Sequence, residues 1–199
     1  MITIAYANEY GEPITPDQLN TLSDYNKVIK EDGVLRIIEC YMDNHLGGIE
    51  FYKHDGITIS EIFARLNTNT VTVVELDPVI DNYTAHKRTT FKEGIIKHIE
   101  MSLYLNSSVI CEQGINVNTL LPVLESTVKY LYDNDAIKNE IGDEKFNFRY
   151  NSDGSLRNMG GERPYFNEYD DSITAAEVAI RFPNLFIEHP YYAVANFLP

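Results

Sequence analysis

Short polar turn segments, set between runs of β-branched and aromatic residues, are the feature that most constrains this chain. In VLRIIECYMDNHLGGIEFYK, residues 34–53, Asp43-Asn44 separates two such runs. Asn and Asp hydrogen-bond their own backbone and tolerate the left-handed region, so this segment is expected to be a β-hairpin. Arg36 and Glu39 fall on opposite faces of its first arm, which therefore does not alternate cleanly. FNFRYNSDGSLRNM, residues 146–159, has the same character around Ser152-Asp153-Gly154. Tyr41 and Leu46 flank the first turn as Tyr150 and Leu156 flank the second, which fits a repeated unit of a sheet or ordinary hairpin grammar. Residues 83–115 read as a β-meander with turns at Lys92-Glu93-Gly94 and Asn106-Ser107-Ser108. TVTVVEL, residues 70–76, is strand-like and stops before Pro78.

Helix signals are fewer. Thr15-Pro16-Asp17-Gln18 has a capping residue, a proline suited to the first turn and a glutamine three residues after the cap. The helix it starts is expected to end before Asp32-Gly33. Residues 57–66 fit either helix or strand. Leu120, Leu121, Leu124, Val128 and Leu131 recur at helical spacing behind Asn118 or Thr119, which predicts a helix over 119–132 with Pro122 in its first turn. Ser172 or Thr174 is expected to cap a second helix over 174–182, stopped by Pro183. The last segment, NLFIEHPYYAVANFLP, is too apolar to hang free and should dock on the core. With no Pro/Ser/Gly linker in 199 residues, the expected fold is a single α+β domain over 1–199. Its sheet should be mainly antiparallel, built of hairpins and flanked by two or three helices.

The net charge is −14, and it is spread evenly. Residues 1–100 hold 16 acids against 9 bases, and residues 101–199 hold 14 against 7. Such a field repels nucleic-acid phosphates and anionic lipid, so neither is an expected partner, and it steers basic partners inward. No apolar run approaches the roughly 18 residues of a membrane span. The N-terminal segment has neither a basic region nor an apolar core, so a cytoplasmic location is expected. In that compartment Cys40 and Cys111, each among apolar neighbours, are expected to be buried thiols.

Chemistry-bearing motifs are sparse. The histidines, His45, His54, His86, His98 and His189, form no HxH or HExxH spacing and no cluster with cysteine. There is no GxSxG elbow, and Gly47-Gly48 and Gly160-Gly161 belong to no phosphate-binding loop. No catalytic residue, metal site or cofactor is therefore expected. The candidate binding residues are two acidic stretches. One is a loop in which Glu162, Glu168, Asp170 and Asp171 stand among Tyr165, Phe166 and Tyr169. Aromatic rings amid carboxylates suit a basic, partly apolar protein surface. The other holds Asp133, Asp135, Asp143 and Glu144. The chain has 14 tyrosines and no tryptophan, with pairs at Tyr130/Tyr132, Tyr165/Tyr169 and Tyr191/Tyr192, and interfaces favour tyrosine.

CYMDNHLGGIEFY and FRYNSDGSLRNM resemble the hairpins of small acidic immunity proteins of bacterial toxin systems. That resemblance implies a binding protein with no chemistry of its own, which covers a toxin's active site. The expected function is a cytosolic acidic inhibitor whose partner is a basic protein such as a toxin domain. The alternatives are a small hydrolase-like enzyme using carboxylates of the 162–171 loop, and a nucleic-acid mimic or structural subunit.

Overall fold

In the computed structural model, residues 1–8, 11–54, 56–78, 82–106, 108–132, 144–161 and 172–199 are described. Among the described residues the fold is β-rich α+β, with twelve strands in a mixed sheet and four short helices, and the strands neighbour one another in chain order. It divides into two compact units, Met1–Leu76 with Lys87–His98, and Asp77–His86 with Ile99–Pro199. Among the described residues no helix is long and apolar enough to cross a membrane.

The first unit contains β1 (Ile2–Ala7), α1 (Pro16–Leu19), β2 (Tyr25–Glu31), β3 (Val34–Met42), β4 (His45–Tyr52), α2 (Ile59–Leu66) and β5 (Thr70–Pro78) as far as Leu76. Its first four strands are antiparallel, and β4 and β5 run parallel. The expected hairpin over 34–53 forms, with Asp43 and Asn44 both at positive φ, 49° and 60°. Arg36 stands outside the β2–β3 register, where Ile29 pairs with Ile37 and Lys30 with Leu35, so a bulge accounts for the broken alternation of that arm. The ambiguous segment over 57–66 is helical. Thr58 and Glu61 close a capping box, and Asn67 ends α2 in the left-handed region. This helix covers a core of Ile37, Ile49, Phe51, Ile62, Val71, Val73 and Phe91, with Phe51 and Ile62 wholly buried. The helix begun at Pro16 is short, as expected, and stops well before Asp32-Gly33. It ends at Leu19, and residues 25–31 form β2, whose Val28 and Ile29 pair across both neighbouring strands.

The second unit takes residues 83–86 of β6 (Tyr83–Lys92) and residues 99–105 of β7 (Ile95–Leu105). It continues through β8 (Ser108–Ile115), β9 (Val128–Tyr132), β10 (Glu144–Tyr150), β11 (Leu156–Gly161) and β12 (Ser172–Thr174). Then follow α3 (Ala175–Arg181) and α4 (Leu185–Glu188). The β7–β8, β8–β9, β9–β10, β10–β11 and β11–β12 pairs are antiparallel. The expected turn at 92–94, the hairpin over 146–159 and the helix capped by Thr174 all occur, and Leu105 pairs with Ser108 across the second expected turn, whose Ser107 lies outside the described residues.

The helix expected over 119–132 does not form. Asn116 Oδ1 accepts from the backbone of Asn118 and Thr119 at 2.9 and 3.1 Å, and Leu120 turns the chain at φ 58°. Leu120 and Leu121 are exposed, a short 3-10 turn covers Leu124–Ser126, and β9 follows. Helical spacing of the leucines lost to a period of two, in which Thr127, Lys129 and Leu131 face inward. Pro122, which has no N–H to give, completes an isolated bridge to Ile115. Among the described residues the helices are thus four pieces of four to eight residues, where two or three flanking ones were expected.

Candidate functional site

In the second unit the chain after α4 runs as a 3-10 turn, Pro190–Ala193, and then without regular structure. A segment with no ladder must satisfy its buried carbonyls some other way. Here side chains of the sheet do it. Lys129 on β9 donates from Nζ to Tyr191 O at 2.6 Å, Val194 O at 2.7 Å and Asn196 Oδ1 at 2.9 Å. Tyr150 Oη donates to Tyr192 O at 2.9 Å. Gln113 Nε2 reaches Ala195 O at 3.0 Å and Thr127 Oγ1 at 2.9 Å. In return Tyr192 Oη donates to Tyr130 O at 3.1 Å. The β10–β11 turn adds a backbone bond, Ala195 N to Gly154 O. Gly154 there has φ 82°, and a Cβ on it would lie 3.4 Å from Leu124 Cδ1. The segment that the sequence marks as too apolar to hang free is therefore docked, with Leu185, Tyr192 and Ala195 in the core.

Lys129 is the unusual member of this set. It is wholly buried, and none of the described carboxylates pairs with it. Its ammonium lies 3.5 Å from the centroid of the Tyr191 ring. Burial pulls its pKa down to about 8, so at neutral pH it is an ammonium with its donors spent on three oxygens. Cys111, its cross-strand neighbour, is also wholly buried, and burial pushes that thiol up to about 11. Burial likewise raises Tyr150, Tyr191 and Tyr192 well above the ordinary phenol range. A thiol held neutral is a poor nucleophile, and an ammonium, having no lone pair, is neither a nucleophile nor a base. Among the described residues no three His, Cys, Asp or Glu side chains converge on a metal position.

Beside the clamped segment is a cavity of about 520 Å³. Among the described residues, Tyr83, Leu105, Ile110, Tyr132, Tyr191 and Tyr192 form most of its wall, with Glu188, His189 and Asn196 as its polar edge. Three of the four phenol groups already donate to backbone carbonyls: Tyr132 Oη to Val109 O, Tyr191 Oη to Phe197 O, and Tyr192 Oη to Tyr130 O. The wall therefore offers mainly ring faces and aliphatic carbons. A second hollow of about 260 Å³, walled by Leu131, Phe146, Phe182 and Leu185, shares Glu188 and His189 with the first. An apolar pocket with a few convergent polar groups is built to bind.

Of the binding residues expected from sequence, Asp133, Asp135, Asp143, Glu162, Tyr165, Phe166, Glu168, Tyr169, Asp170 and Asp171 lie outside the described residues. Glu144 begins β10, its backbone opposite Tyr132. The sequence singled out Tyr130/Tyr132 and Tyr191/Tyr192, and the structure brings both pairs to this place. It did not single out Lys129, Gln113 or Glu188. For Lys129 the signal was a lone cation inside the apolar and aromatic run VKYLY. Compared with known proteins, the chain matches no family model, no curated protein and no solved structure.

Proposed function

We propose that this chain is an acidic binding protein acting in the cytoplasm as an immunity-type inhibitor, covering a basic surface of a bacterial toxin. The observation that carries the reading is the aromatic cavity beside Glu188 on a protein of net charge −14. Charge of that size steers a basic partner, and an apolar pocket supplies the desolvated centre on which a stable interface depends. The neighbouring ionisable groups support binding over catalysis, because Lys129 is committed to carbonyls and Cys111 is held as a neutral thiol.

The test is genetic and biophysical. An immunity gene sits beside its toxin, so the product of the adjacent reading frame is expressed alone and together with this chain. The expected result is growth arrest by the neighbour alone, rescue by this chain, and a purified one-to-one complex whose association slows with added salt. A neighbour that is harmless, or one that this chain neither rescues nor binds, defeats the proposal.

A further inference from the structure

Resting on that reading, we infer that the cavity beside the docked C-terminal segment receives a large aromatic side chain of the basic partner, with a flanking base set against Glu188. Its lining residues all belong to the second unit.

Volume and wall chemistry favour a side chain as occupant. About 520 Å³ is ample for one large ring, and the Tyr132, Tyr191 and Tyr192 hydroxyls have already given their protons to backbone carbonyls. Such walls reward apolar surface and ring stacking, and give a polar ligand little to bond.

A cation is the obvious rival on an acidic protein, since tyrosine faces attract guanidinium and ammonium groups. The structure argues against it at the centre of the cavity. The Tyr191 ring already carries the Lys129 ammonium 3.5 Å from its centroid. That buried charge has no ion-pair partner among the described carboxylates, so a second cation entering beside the same ring meets like-charge repulsion. A neutral ring avoids this repulsion. Glu188 lies at the edge, is exposed and forms no ion pair with any described base. A flanking lysine or arginine therefore meets the carboxylate in solvent, where the long-range field of −14 also attracts it.

The experiment titrates protein carrying ¹³C-tyrosine with three probes: N-acetyl-tryptophan amide, N-acetyl-arginine amide and the tripeptide Lys-Trp-Lys. Tyr132 and Tyr191 signals are expected to shift saturably with both tryptophan probes and not with the arginine amide. Lys-Trp-Lys should bind up to about fivefold tighter than the neutral probe, the scale of one exposed ion pair. Leu105→Trp, which plugs the half-buried rim, should abolish the shifts in a protein whose thermal melt shows it folded. Glu188→Lys, a change at an exposed position, should remove the tripeptide's advantage. Saturable binding of the arginine amide without the tryptophan amide would overturn the inference in favour of a cation, and no tyrosine shift with any probe would refute the cavity as an anchor site. These outcomes are separable from the inhibitor reading: rescue by a Leu105→Trp variant as complete as by the parent keeps the inhibitor and removes the anchor. Tryptophan binding in a protein that rescues nothing does the reverse.

Discussion

Replacing Lys129 with methionine tests the clamp on the C-terminal segment. The variant keeps most of the side chain's length and removes the donor to Tyr191 O, Val194 O and Asn196 Oδ1. Asn196 is exposed and can turn to water, whereas the two carbonyls lose a charged donor, at about 1–3 kcal/mol each when left unpaired. Against this loss stands a gain, since the variant no longer buries a cation. The fall of the lysine from 10.5 to about 8 caps that gain at about 3 kcal/mol. With about 4 kcal/mol lost at the middle of that range for the two carbonyls and at most about 3 gained, the expected net destabilisation at neutral pH is about 1 kcal/mol or more, with faster amide exchange over residues 191–197.

The pH dependence gives the sharper check. A lysine whose folded pKa lies below its unfolded one binds fewer protons in the folded state between the two values, so its contribution to stability rises with pH from about 8 to 10.5. Methionine lacks this rise. Urea unfolding of parent and variant at constant ionic strength should show the penalty of Lys129→Met growing by about 1 kcal/mol from pH 8 to pH 9. Cys111 acts in the opposite sense: its folded pKa is raised to about 11, so its contribution is full below 9 and is lost as pH climbs toward 11. That loss is present in both proteins and largely cancels in the difference. A penalty that stays flat or shrinks over this window would mean that the three oxygens hold the ammonium as firmly as water does, and the assignment of a desolvated lysine would be wrong.

Other expectations follow from single contacts. Thr58→Ala removes the cap of α2 and should cost about 1 kcal/mol in chemical denaturation, less than Phe51→Ala in the core beneath it, at about 3–5 kcal/mol. Under native conditions a thiol reagent should label half-buried Cys40 slowly and buried Cys111 only on unfolding, so rapid labelling of Cys111 would contradict its placement on β8. A mobility-shift assay at physiological salt should detect no DNA or RNA binding by a chain of charge −14. Charge reversal of Glu168, Asp170 and Asp171 to lysine should slow association with the proposed basic partner and flatten its salt dependence, and unchanged association kinetics would place the interface elsewhere.

The hairpins were legible in the sequence because turn chemistry is local. Asp43-Asn44 and Ser152-Asp153-Gly154 carry their backbone preference with them, and the surrounding fold had only to accept it. The same holds for the box at Thr15, closed by Gln18 three positions on, whereas the sequence left 57–66 open between helix and strand and the later cap open between Ser172 and Thr174, where the structure closes boxes at Thr58 and Thr174. How far a helix continues is another matter. After Thr15 the box is satisfied within one turn, and β2 takes residues 25–31 because neighbouring strands lie on both sides of it, partners that no local window contains.

The region from 116 to 132 shows why the candidate site was the least legible part. The inward residues at the entrance to and along β9 are Thr127, Lys129 and Leu131, two polar residues out of three, so the alternation that marks a half-buried strand is hidden. Lysine is almost never wholly buried without partners, and these partners are carbonyls 62 to 65 positions downstream, in a segment with no regular structure to signal it. The apolar tail announced that it would dock, but its apolarity belongs to side chains, whereas the groups that needed satisfying were its backbone oxygens. Buried ammonium and irregular segment each resolve the other's deficit: the lysine needs acceptors that no ladder has claimed, and the segment needs donors that no ladder provides. Either one read alone looks like an error in the fold. Together they fix the wall of the cavity in place, since the clamped residues Tyr191 and Asn196 also line it. A preformed wall loses less freedom on binding, and that is the condition under which a single anchor side chain contributes most to holding a partner.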